Sequence, residues 1–220
     1  MRSAFDKLIS WTGLGMAAVL LVAGGLLTWA SVFVGDQVNS QLSAQDITMP
    51  TSEAIDAQLE SGRLSQEDAD ALYPFAGKEM VTGPAARAYA DHYIQAHMNA
   101  GSYGLEATVS EMGVDTSAWE LPLTYSSAGT VSSAIEADES LSDDVKAEAT
   151  QAVSDFRMDT LFTGNTLRGL LLYGYAFATI GSIAGIAAVV CFVGAVALAI
   201  LGVFGLRHAG KVAATEKAAA

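Results

Sequence analysis

Two stretches of the chain carry no charge, one between Lys7 and Asp36 and the other from Gly169 to Leu206, between Arg168 and Arg207. A bilayer core about 30 Å thick takes about 20 apolar helical residues, so each run is long enough to cross. The second run lacks a polar turn. Gly181-Ser182 and Gly194 are small and set among Ile, Val, Ala and Phe, so the run reads as one crossing whose surplus continues as helix beyond one membrane face. The pattern predicts transmembrane helices over 9–34 and 169–206. Trp11 and Trp29 fall near the ends of the first, and Tyr173 and Tyr175 near the outer end of the second, where amphipathic rings settle. Arg168, at that outer end, is expected to pair with lipid phosphate or with Asp155 or Asp159 one or two turns earlier. A cleaved signal peptide is the rival reading of the first run. Secretory apolar regions span only about 7 to 15 residues, which favours an uncleaved anchor.

Between the runs the pattern changes to short amphipathic segments bounded by turn signals. Thr51 or Ser52 caps a helix carrying Ile55 and Leu59 and ended by Gly62; Ser65 and Asp68 form a start signal of the capping-box type for the next, closed by Tyr73-Pro74. Pro84, with Thr82 upstream, opens a helix whose stop is Gly101. A further short helix is expected over 105–112. Residues 113–140 mix Pro122, Gly129 and many Ser and Thr, predicting a loop with one short strand, pinned to the core by Trp119. Ser142 caps the last segment, where Val145, Ala149, Val153 and Phe156 mark one face. It leads through Gly164-Asn165 almost directly into the second run, a stiff connection. The fold class is therefore mainly α: two transmembrane helices flanking an all-α, or nearly all-α, extracytoplasmic domain over 35–168, with tails 1–8 and 207–220.

Charge sets the orientation. The segment from Asp36 to Arg168 holds 22 of the 24 acidic residues and six of the 11 basic ones, a net of −16, while the two tails carry five basic residues against Asp6 and Glu216. Positive charge near the ends of spans stays inside, which puts both termini in the cytoplasm at the plasma membrane. So acidic a segment excludes nucleic acid as a partner and disfavours anionic lipid surfaces; cations or a basic protein surface suit it. Cys191 is the one cysteine and lies within the second span, so the central segment forms no disulfide and its stability comes from packing.

Candidate chemistry is sparse. Asp91, His92 and His97 are residue types that bind zinc. However, His92 and His97 are five apart and diverge by about 140° around a helix, whereas paired helical ligands sit four apart. The acidic clusters at Glu67–Asp70 and Glu136–Asp144 lack the calcium-loop frame. No nucleophile elbow or phosphate-binding glycine loop is present, so neither a cofactor nor an enzyme activity is expected. Small residues supply the other signal. Gly181 and Gly185, extended by Ala178, Ser182 and Ala188, form a small-xxx-small face, and the first run holds Gly13, Gly15, Ala17, Ala18, Gly24 and Gly25. Such faces permit close helix approach, either to a larger membrane complex, in a homodimer, or between the two spans themselves.

The stretches AGKEMVTGPAARAYADHYIQAHM and TLFTGNTLRGLLLYGYAFATIG resemble a family of uncharacterised actinobacterial two-span membrane proteins, often labelled aromatic ring-opening dioxygenase subunits. The resemblance covers most of the chain and implies the same layout, without an activity. An iron site of two His and a carboxylate would need His92 and His97, whose spacing argues against it.

The resulting expectation is a non-catalytic accessory or scaffold subunit. Its acidic domain would contact a larger membrane complex, such as a respiratory-chain assembly, through Tyr89, Tyr93, Trp119 and the Gly181/Gly185/Ala178 face. The alternative is an extracytoplasmic ligand-binding or sensor module coupled to the second transmembrane helix.

Overall fold

A computed structural model describes residues 2–218. The chain is mainly α: α1 (Arg2–Ser43), α2 (Ser52–Glu60), α3 (Gln66–Leu72), α4 (Gly83–Ala88), α5 (Gln95–Glu111), α6 (Tyr125–Ala137), α7 (Asp143–Asp155) and α8 (Thr163–Ala218). A π-helical segment, Tyr89–Ile94, joins α4 to α5, and another, Phe156–Phe162, joins α7 to α8. Two long apolar helices thus flank the shorter ones along the chain. The contacts divide the chain into two compact units, Met1–Gln37 with Phe177–Ala220, and Val38–Ala176.

In the first unit α1 and α8 pack antiparallel. Both are long and apolar enough to cross a membrane, and only 11% and 17% of their most apolar stretches is buried. A core helix of a water-soluble protein would be mostly covered. Here Val19, Val22, Ile186, Val190 and Val193 are all exposed, a surface that suits lipid and not water. Trp11 and Trp29 stand 18 residues apart on α1, about 27 Å along a helix, near the thickness of a hydrocarbon core. Both rings are exposed, and Trp29 stacks on Phe33 at 5.6 Å.

In the second unit the caps form where the sequence places them. Thr51 accepts from the Ala54 N–H at 3.3 Å, Thr82 from Ala85 at 3.3 Å and Ser142 from Val145 at 3.4 Å, and Ser65 and Asp68 complete a capping box. Each satisfies an N–H that the first helical turn leaves without a partner. Ile55, Ala69 and Leu72 bury the apolar sides of α2 and α3. Met98, Leu105, Val109, Val131, Ile135, Ala149, Val153 and Leu161 form a hydrophobic core, drawn from α5, α6, α7 and the second π segment.

Two local expectations are corrected. Residues 125–137, expected as loop, are α6. Its Ser- and Thr-rich surface hides Ala128, Val131 and Ile135, buried at steps of three and four, and Thr124 with Ser127 forms a capping box. Gly101 does not stop a helix, and the separate helix expected over 105–112 is the later part of α5. A Cβ at Gly101 would sit 3.0 Å from the Phe156 ring, so its missing side chain serves close packing inside a helix. The helical run from Asp143 to Thr215 is unbroken.

Candidate functional site

The small residues of the two long helices form a seam. From Gly181 onward the buried positions on α8 are Gly181, Ala188, Ala195, Gly202 and Ala209, seven apart, and the buried Ser10, Ala17 and Gly24 and the half-buried Ser31 on α1 keep the same spacing. A seven-residue repeat keeps one stripe facing a partner helix. Ser10 lies against Gly205, Leu14 against Gly202, Leu20 against Gly194, Phe192 over Gly24, Ser31 against Gly185 and Val34 against Gly181. Side chains at these glycines would collide: a Cβ at Gly185 would stand 2.9 Å from Ser31 Oγ, and one at Gly202 2.8 Å from Leu14 Cγ. Van der Waals contact between closely approaching backbones is what holds helices together in lipid. The Gly181/Gly185 face is therefore occupied by α1, with Ala178 half-buried beside it. Gly15 and Gly25 have open space around them, and Ala18 is also exposed.

In the central unit Arg168 has a different partner from the one expected. Its Nε donates to the Ala90 carbonyl at 3.0 Å and its Nη2 to Asp91 Oδ1 at 3.1 Å; Asp155 and Asp159 are not its partners. The π segment explains this. There the Gln95 N–H reaches back to Ala90 O, the wider turn of a π-helix, and the same carbonyl also receives Arg168. Arg87, four residues before Asp91, approaches it at 3.6 Å. Arg87 also donates to Tyr175 Oη at 3.1 Å and lies 5.1 Å from that ring's centre. Tyr175 is thereby tied to α4, while Tyr173 is exposed.

The two histidines serve separate partners. His92 Nδ1 is 3.0 Å from Asp68 Oδ1, joining the π segment to the cap of α3, and His97 Nδ1 is 2.7 Å from the Tyr93 carbonyl. Burial works to raise the Asp68 carboxyl, but hydrogen bonds from Ser65 and His92 outweigh it and hold it below the usual range. Tyr89 and Tyr93 stack at 4.8 Å, Tyr93 meets His97 at 4.2 Å, and both tyrosines are half-buried. Burial, then Tyr93, pushes the Tyr89 phenol up. Trp119 is half-buried against the core of α5, α6 and α7. These rings hold the unit together and offer only part of their area to a partner.

The open surface lies elsewhere, on residues that sequence reasoning did not single out. Tyr125 on α6 and Met158 and Phe162 on the second π segment are all exposed. The patch is held in place. Arg157 stacks 4.1 Å from the centre of the Tyr125 ring, its Nε donates to the Tyr125 carbonyl at 3.0 Å, and Phe162 meets the ring at 6.2 Å. A Cβ at Gly129 would sit 3.2 Å from the Arg157 guanidinium carbon; glycine there makes room for the clamp. On the first turns of α8, Leu167, Leu170 and Tyr173 are exposed as well. The four-residue step from Met158 to Phe162 was the available signal.

Comparison with known proteins finds no family model that matches the chain, and no matching curated protein or solved structure.

Proposed function

We propose that the protein is a non-catalytic membrane accessory subunit. Two helices anchor it with both termini in the cytoplasm, and its acidic helical unit, outside the cytoplasm, docks on a larger membrane complex. The observation that carries this reading is the Tyr125–Met158–Phe162 patch, an exposed aromatic and sulfur surface held by Arg157 in a unit that is otherwise strongly acidic. Tyr, Met and Arg are enriched where proteins bind one another, and a ring already fixed before binding loses little freedom on docking. Asp155 and Asp159 flank the patch in sequence, so a matching surface would be apolar with a basic rim. Because α1 already occupies the glycine seam of α8, docking falls to the central unit and to the outward faces of the helix pair. By analogy with small respiratory accessory subunits that combine a membrane anchor with an exported domain, a respiratory-chain assembly is the first complex to search for.

A tagged chain recovered from its native membrane in mild detergent tests the reading. Stoichiometric recovery with a large membrane complex, lost in Phe162→Ser, is expected; recovery of the wild type alone, as monomer or homodimer, would overturn it.

A further inference from the structure

A groove of about 350 Å³ opens beside the seam between α1 and α8, in the range of about 300 to 1,000 Å³ common for ligand clefts. Gly13, Gly202 and Gly205 bring no side chains to it, while Ile9, Leu198 and Leu201 stand along it. It runs from Asp6 to Gly13 on one helix and from His208 to Leu198 on the other, about 10 to 15 Å along the axes. The groove thus starts where the charge-free runs of both helices stop and continues into them. Ile9 and Leu201 are exposed, so a hydrocarbon chain can enter from the side, and such a wall suits it better than water.

The two ionisable groups of the wall, Asp6 and His208, choose the occupant. No described Lys or Arg lines the groove, and among the described residues the half-buried Asp6 carboxylate enters no ion pair. A carboxylate at an apolar wall gains from a cation set beside it and loses from an anion. The Ser10 hydroxyl, also in the wall, donates to the Asp6 backbone carbonyl at 2.7 Å, so the carboxylate is left for a ligand. His208 carries a ring N–H in either tautomer, a donor for a phosphate oxygen. A ligand with an ammonium for Asp6, a phosphate for His208 and a hydrocarbon tail is an aminophospholipid.

We propose that this groove binds phosphatidylethanolamine, with its ammonium on the Asp6 carboxylate, its phosphate accepting from His208 and one acyl chain along Ile9, Leu198 and Leu201. The ammonium donates charge-assisted hydrogen bonds to the carboxylate, whereas a choline headgroup has no N–H to donate. The site rests on the helix pair lying in lipid and is independent of the accessory-subunit reading.

The full chain, purified in mild detergent and stripped of lipid, is titrated with phosphatidylethanolamine, phosphatidylcholine and phosphatidylglycerol carrying the same acyl chains, and bound lipid is counted by native mass spectrometry. Phosphatidylethanolamine is expected to bind about fivefold or more tightly than either of the others. Asp6→Asn should remove its advantage over phosphatidylcholine. That variant keeps the side-chain shape and the Ser10 bond to the backbone, so its helix content by circular dichroism should be unchanged. His208→Leu should weaken all three lipids, each of which carries the phosphate, and Leu201→Trp, which fills the groove from its exposed edge, should do the same. A smaller preference in the wild type, a preference that survives Asp6→Asn, or unchanged binding in His208→Leu or Leu201→Trp would each overturn the assignment. So would a lipid-free dimer, which would give the groove to a second copy of the chain.

Discussion

Replacing Arg168 with Ala removes two hydrogen bonds, to the Ala90 carbonyl at 3.0 Å and to Asp91 at 3.1 Å. The Arg168 and Asp91 side chains are only 22% and 29% exposed. Hydrogen bonds to charged groups contribute about 1.5 to 3 kcal/mol, and partial access to water lowers this to about 1 to 2 kcal/mol. Arg87 replaces little of it, since at 3.6 Å and 56% exposed it offers Asp91 about 0.5 kcal/mol at most. Amide exchange over residues 89–95, in detergent or nanodiscs, reads the effect directly, because the lost donor frees the carbonyl that closes the π turn. A loss of about 1 to 2 kcal/mol speeds exchange about 5- to 30-fold. Arg168→Lys keeps the charge without the planar fork and should restore less than half of the protection. The double variant with Asp91→Asn should be less damaging than the sum of its parts. If Arg168→Ala left exchange within twofold of the wild type, or if Asp159→Asn coupled to it as strongly as Asp91→Asn, the pairing across the central unit would be wrong.

The seam predicts a contrast between two glycines. Gly202→Leu should destabilise the helix pair by about 1 to 3 kcal/mol through overpacking against Leu14 and Ser10, whereas Gly15→Leu should be tolerated. The half-buried Cys191 thiol reports opening through its maleimide-labelling rate, and equal rates in the two variants would contradict the seam. Ser102 is buried and accepts the Leu123 N–H at 2.6 Å. Ser102→Ala strands that donor and should lower the stability of the full chain in detergent by about 1 to 3 kcal/mol in denaturant titration. Acid should weaken the central unit. The Asp68 carboxyl is held low because bonds from Ser65 and His92 outweigh burial, and Asp115 and Asp138 are lowered by bonds from Ser117 and Ser140. Folded values below unfolded ones give stability that is present above about pH 4 and lost as pH falls through the folded values. Far-ultraviolet circular dichroism during acidification should show that loss, with Asp68→Asn reducing its pH dependence, and a profile identical to the wild type would remove Asp68 from the account.

The sequence by itself determined the helical class, the two charge-free runs and the caps at Ser65, Thr82 and Ser142, and narrowed that of α2 to Thr51 or Ser52, because these depend on neighbours within about four positions. Composition also placed 22 acidic residues between the runs. Of the seven-residue stripes, the small-residue pattern singled out Gly181, Ala188, Ala17 and Gly24. That Ser10, Ser31, Ala195, Gly202 and Ala209 share the seam emerged only once α1 and α8 had packed. Tertiary structure made α6 a helix despite its weak local pattern, by burying Ala128, Val131 and Ile135 against α7 and the second π segment. It likewise kept Gly101 inside α5, where Phe156 needs the space. Arg168 shows the difference most plainly. By spacing, its nearest acids were Asp155 and Asp159, yet the fold brings it Asp91, 77 residues away in sequence, together with a carbonyl that a π turn presents. Helix periodicity ranks only neighbours on the same helix, whereas an ion pair is decided by distance and shielding from water, which are set once separate helices have packed.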